Sequence, residues 1–252
     1  MNGSTGRRSM VIDDHICGLP GVGFGGYVAG LLATELGSPA KVDFIRPAPL
    51  GIELSIAHEL ATEATLLNGA NVLAIGRPYE TSEDHPAPPT WEEAVLASEA
   101  YVAMTDNDYP NCFGCGPAMP DGKGMRVFTG PIKGRELVAA AWSPSASFAA
   151  ANGELSPRYV WSALDCPGGR ARKQFISSEP AVTAYLAVQQ KAPILAGAPH
   201  LVTGWPVRQE GRKSFVGMAI FDRDGVLCAA GEALWVTAVK APIGHRGGAG
   251  EG

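Results

Sequence analysis

Basic residues are the minority charge in this chain: 20 Lys and Arg stand against 25 Asp and Glu, for a formal net charge of −5. No general positive field is available for nucleic acid or an anionic membrane, so an anionic ligand has to be held by a local group of Lys or Arg. Charge of either sign is sparse, at 18% of residues against 46% apolar, which fits a globular protein with a large core and not a disordered one. Long hydrophobic runs are missing too. Gly or a charge breaks every apolar stretch well short of the roughly 20 residues that span a bilayer. The opening MNGSTGRRSMVIDD has two Arg with no apolar run behind them, so neither a secretory signal nor an anchor is read there. Five Cys is an odd number, with no second CxxC and no spaced His pair to complete a four-ligand zinc site around Cys112 and Cys115. The expectation is a reduced, cytoplasmic protein with no membrane or nucleic-acid partner, no cofactor and no metal, whose core needs no covalent staple.

What is plentiful is punctuation. Gly (32) and Pro (20) are spread along the chain without clustering, as in a protein of many short elements and tight turns. One polar, Pro-rich break runs from Arg77 to Pro89, RPYETSEDHPAPP. TWEEAVLASEAYV follows, where Thr90 and Glu93 form a capping box for a short helix. Residues 77–110 thus read as a linker with one helix, between an N-terminal unit (1–76) and a C-terminal unit (111–240). Residues 241–252, APIGHRGGAGEG, have no apolar periodicity and read as a disordered tail.

The order of elements repeats on either side of the linker. An apolar helix comes first, GFGGYVAGLLATEL (23–36) and then SPRYVWSALDCPGG (156–169). A strand ending in an Ala-Pro turn follows, VDFIRPAPLG (42–51) and YLAVQQKAPILAG (185–197). The second half closes with a meander joined by the turns QEGR and DRDG. In the first half, a helical pattern over 58–67 competes with strands. A helix followed by antiparallel strands, occurring twice, predicts an α+β architecture in which each sheet wraps a helix that is apolar nearly all round. The small residues Gly26, Ala29, Gly30 and Ala33 are expected to let the first helix approach its sheet.

These segments resemble the thioesterase-like double-hotdog superfamily, of which acyl-CoA thioesterase II is the best-known member. FGGYVAGLLATEL is similar to that group's central helix, and VDFIRPAPLG to the strand after it. CFGCGPAMPDGKGMRVF (112–128) resembles the opening loop of many single hotdog thioesterases, and the CFGCGP and ALDCPGG pair resembles a set of uncharacterised bacterial members. The resemblance implies a tandem hotdog, an acyl-CoA or acyl-carrier thioester as the partner, and a homodimer through further pairing of sheets.

Asp165 stands out among the candidate residues, because VWSALDCP is an apolar helical stretch in which a carboxylate is costly to bury unless it is paired or functional. Its local alternative is a cap near the helix-breaking run Cys166 to Gly169. Gly25 and Gly26 open an apolar helix, where backbone N–H groups and the helix dipole favour developing negative charge; tight packing is the alternative. Arg170, Arg172 and Lys173, placed after the acid-bearing helix, form the basic group for CoA phosphates, ahead of the hairpin residues Arg208, Arg212 and Lys213. Cys112 and Cys115 read as small buried thiols in a tight turn, and Cys17, Cys166 and Cys228 as isolated.

The resemblance adds roles. It implies that Asp165 activates water or attacks the thioester carbonyl. The single-hotdog pattern is HGG with an acid seven residues after the last Gly. The first half offers Phe24-Gly25-Gly26 with Ala33 at the acid position, and the second Ser156-Pro157-Arg158 with Asp165. One composite site, with glycines from one unit and the acid from the other, follows from that frame. The pattern's His is absent from both halves. The last-strand Gln of thioesterase II falls at Ala233 beside Glu232, leaving Thr183, Gln189, Gln190 and Glu232 as candidate polar partners. A binding protein without catalysis is the competing reading, and a hydratase lacks the Asp–His pair it needs.

Overall fold

The computed structural model describes residues 6–36, 39–60, 62–82, 84–104 and 109–239. Within the first half lie β1 (Arg7–Val11), β2 (Cys17–Leu19), β3 (Val22–Gly23), α1 (Gly25–Leu36), β4 (Ala40–Phe44), β5 (Glu53–Leu60), β6 (Glu63–Asn68) and β7 (Asn71–Pro78). Then come α2 (Trp91–Val102), β8 (Gly130–Pro131), β9 (Val138–Trp142), α3 (Pro157–Phe175), β10 (Ala181–Gln190), β11 (His200–Glu210), β12 (Lys213–Asp222) and β13 (Leu227–Thr237). The expected tail lies outside the described residues.

Eleven strands form one sheet in the order β1-β5-β6-β7-β4-β10-β13-β12-β11-β9-β8. Outward from the middle, the sequence of strands is 4-7-6-5 on one side and 10-13-12-11 on the other, so the two halves share one strand order. The halves join where β4 pairs antiparallel with β10, Val42 opposite Leu186. The expected meander is present as β11, β12 and β13. The helical pattern over 58–67 gives way to a β5–β6 hairpin: Leu54 and Ile56 on one strand, Ala64 and Leu66 on the other, alternate into the core.

Gly26 to Ala33 of α1 are all buried. The glycines of this helix face its sister helix, which corrects the expectation that they serve the sheet. A Cβ on Gly30 would sit 2.3 Å from Arg158 Cα, and one on Gly26 would sit 2.7 Å from the Trp161 carbonyl oxygen. Four residues apart, they share one face of α1 and let it cross α3 backbone against backbone.

The second helix differs from its expected span. It does not stop at Cys166-Pro167-Gly168-Gly169 but runs on to Phe175, with Pro167 inside it. The missing N–H leaves the Ala163 carbonyl without its helical bond, yet packing decides the outcome. Gly168 lies against Val216 and Met218, Gly169 against Trp235, and Gly204 of β11 lets the Pro167 carbonyl come close. Arg170, Arg172 and Lys173 therefore sit on the last turns of α3, not after it.

Thr90 caps α2 through the expected capping box with Glu93. Ala94 and Ala97 then pack with Leu137, Leu201 and Phe221 in a second, smaller core. Gly130 admits the helix, since a Cβ there would fall 2.0 Å from the Ala97 carbonyl oxygen. No helix among the described residues is long and apolar enough to cross a membrane.

Candidate active site

A cavity of about 590 Å³ opens where the halves meet. Gly25, Val28 and Phe44 line it from the first half, Asp165, Thr183 and Trp235 from the second. Crossing of α1 over α3 brings the start of one helix to the middle of the other. There the Gly26 N–H donates to Asp165 Oδ2 at 2.8 Å, across 139 residues of sequence. Thr183 Oγ1 on β10 lies 3.5 Å from the other carboxylate oxygen. Asp165 is only 5% exposed. Burial pushes its pKa from the ordinary 3.8 to about 7; the Gly26 and Thr183 bonds pull it down and nearby Cys112 pushes it up. The positive end of the α1 dipole partly offsets the cost of the anion.

Gly25 and Gly26 differ in what they have left to offer. The Gly26 amide is engaged by Asp165, whereas the Gly25 N–H has no hydrogen-bond partner among the described residues, and Gly25 lines the cavity. Neither glycine tolerates a side chain: a Cβ on Gly25 would lie 3.0 Å from Asp165 Oδ2.

Of the polar partners considered, only Thr183 reaches the cavity. Glu232 accepts from the Tyr79 and Tyr185 hydroxyls, at 2.9 and 3.3 Å. It falls on the opposite face of β13 from Ala233 and the cavity-lining Trp235, because side chains alternate along a strand. Gln189 and Gln190 lie at the far end of β10, roughly 20 Å from Thr183 at about 3.3 Å per residue. Gln190 is exposed and donates to the Ala192 carbonyl.

The basic group divides in the same way. Arg172 is buried, and its guanidinium donates to the Ser177 and Glu179 carbonyls and to Thr237 Oγ1. It ties the end of α3 to the last strand and also lines the cavity. Arg170 lies over the Tyr101 ring at 5.1 Å, while Lys173 is exposed on the cavity wall. Arg46, which no sequence motif singled out, is also exposed along the cavity, and its guanidinium donates to the Val72 carbonyl at 2.8 Å. The hairpin residues Arg208, Arg212 and Lys213 do not line the cavity.

Cys166 is not isolated. It joins Cys112 and Cys115, the three sulfurs lying within 4.8 Å of one another beside Asp165. Bonds from Cys112 and Cys166 hold the Cys115 thiol below its ordinary range; the bond with Cys115 pushes Cys112 up, and bonds with Cys112 and then Cys115 push Cys166 up.

No family model and no curated protein matches the sequence. Solved structures do match the fold. The TesB protein of Mycobacterium avium subsp. paratuberculosis superimposes with a TM-score of 0.60 at 12% identity, covering 92% of this chain and 93% of that one. A Thermobifida fusca protein assigned as a thioesterase II gives 0.60 at 15% identity, over 93% and 94%. An acyl-CoA thioesterase II of Mycobacterium marinum gives 0.54 at 11% identity, over 87% and 91%. The chain has the thioesterase II fold. At these identities the likeness is one of architecture, and chemistry has to be argued from the cavity itself.

Proposed function

We propose that the chain is a tandem hotdog, with units 1–76 and 111–240 joined by the 77–110 linker, that hydrolyses an acyl thioester at one composite site between its units. The observation that carries this reading is the 2.8 Å bond between Asp165 and the Gly26 amide beside a cavity of acyl-chain size. In this scheme the Asp165 carboxylate takes a proton from water as the oxygen adds to the thioester carbonyl. The Gly25 N–H, at the positive end of α1, stabilises the resulting oxyanion. Collapse breaks the carbon–sulfur bond, the thiolate leaves with the proton, and a carboxylic acid remains. Thr183 holds the carboxylate in orientation from its other side. Arg46 and Lys173 flank the cavity and suit the phosphates of CoA, so acyl-CoA is the proposed substrate class. The equivalent place in the first unit carries Ala33, so it supplies no acid.

One observation favours a second reading, an acyl-CoA binding protein without turnover: the Gly26 amide is already occupied by Asp165, and no His or Gln among the described residues lines the cavity. A panel of acyl-CoAs of graded chain length separates the two. Hydrolysis that is lost in Asp165→Asn supports the enzyme. Thermal stabilisation by acyl-CoA with no free thiol released supports the binder.

A further inference from the structure

We propose that Cys112, Cys115 and Cys166 form a three-thiolate site for a soft d10 cation, Zn²⁺ in the first instance, with its fourth position open to the cavity. The proposal is independent of the acyl-thioester reading. Four sulfurs at tetrahedral corners about 2.3 Å from zinc stand roughly 3.8 Å apart. Cys112 and Cys166 already meet that spacing at 3.7 Å, and all three sulfurs lie within 4.8 Å of one another, so closure needs shifts of at most about 1 Å.

The loop is built to bring these sulfurs together. Phe113 N–H donates to the Cys17 carbonyl, Gly116 N–H to Cys112, Met125 N–H to Phe113 and Val127 N–H to Gly114, which fixes the CFGCG backbone on both sides. Gly114 is required for the approach to α3, because a Cβ there would lie 2.6 Å from Cys166 Sγ. Pro167 and the two glycines after it set Cys166 on a helix pressed against the sheet, so the third ligand is as firmly placed as the first two. All three cysteines line the cavity, which leaves the fourth position for water or a small thiol. Three thiolates beside Asp165 would leave a large uncompensated negative charge, and a divalent cation together with Arg170 neutralises most of it. Sequence spacing concealed the site, since CxxC and Cys166 lie 54 residues apart.

The test uses the full chain, purified reduced and stripped by a chelator. Titration with Co²⁺ is expected to give one equivalent of binding with sulfur-to-cobalt charge-transfer bands, displaced by Zn²⁺. Separate Ser substitutions at Cys112, Cys115 and Cys166 should each weaken binding more than about tenfold, since loss of outer-shell support alone costs 10–100-fold. Cys17→Ser and Cys228→Ser should change nothing. Should the cluster variants fail to fold, thiol counting on the wild type decides: Zn²⁺ must protect three of the five cysteines from a disulfide-exchange reagent. No charge-transfer band, binding that survives Cys166→Ser, or protection of none of the three overturns the proposal.

Discussion

Asp165→Asn should make the protein more stable while removing its activity. The carboxylate sits at about pKa 7 in the folded chain against 3.8 when free, so its ionisation opposes folding. Below about pH 4 it is protonated in both states and costs nothing. The penalty grows between about pH 4 and 7 and is constant above. Converted at RT ln 10 per pH unit, the gap is roughly 4 kcal/mol, an upper bound because local relaxation and water entry reduce it. Asparagine keeps the shape and can still accept from the Gly26 N–H, but its amide must find an acceptor, for which Thr183 is the nearest group. A net gain of roughly 2 kcal/mol at pH 8 is therefore expected, or about 4–8 °C in Tm for a chain of this size. The assay is urea or thermal unfolding of chelator-treated, reduced wild type and variant at pH 5, 6, 7 and 8. The gap between them should narrow as pH falls. A variant less stable than wild type at pH 8, or a gap independent of pH, would refute the reasoning that burial without full pairing governs this group.

Hydrolysis by the chelator-treated enzyme should show kcat/KM rising with pH through about 7, as a base with that pKa deprotonates; a flat profile between pH 5.5 and 9 would remove Asp165 from the role. Gly30→Ala should destabilise by roughly 3 kcal/mol in urea unfolding, since the new methyl meets Arg158 backbone at 2.3 Å. Gly69→Ala, which meets nothing, should cost about 1 kcal/mol for its positive φ alone. Arg46→Ala and Lys173→Ala should raise KM for acyl-CoA several-fold with kcat unchanged, and leave an acyl-pantetheine thioester unaffected. Arg172→Met should instead lower the unfolding midpoint by the equivalent of roughly 2 kcal/mol, because three part-buried hydrogen bonds from a charged donor are lost, and should leave the acyl-CoA KM alone.

What the sequence by itself determined is the capped helix start, the turns and the apolar faces. Thr90 and Glu93 three residues apart define the start of α2; Gly211 and Gly225, both at positive φ, mark the turns of the closing meander. The apolar run from Gly26 to Ala33 specifies a helix buried on every side. Asp165 stood out because a carboxylate is conspicuous in such company. Periodicity could also have separated Glu232 from Trp235, for alternation along one strand puts them on opposite faces.

Tertiary structure decided whatever depends on which faces meet. Gly26 and Gly30 read as permissive positions, and only the crossing of α1 over α3 shows that they admit another backbone. Cys166-Pro167-Gly168-Gly169 carries every local signal of a helix end. The helix continues because the same small residues fit against Met218, Val216 and Trp235, and that burial outweighs the lost backbone bond. Arg172 and Lys173 are adjacent basic residues in sequence, yet one is held by three hydrogen bonds to its own chain and the other lies exposed on the cavity wall. The trio of Cys112, Cys115 and Cys166 exists only because the loop after α2 folds back onto α3, a contact between positions 54 residues apart that no spacing rule encodes.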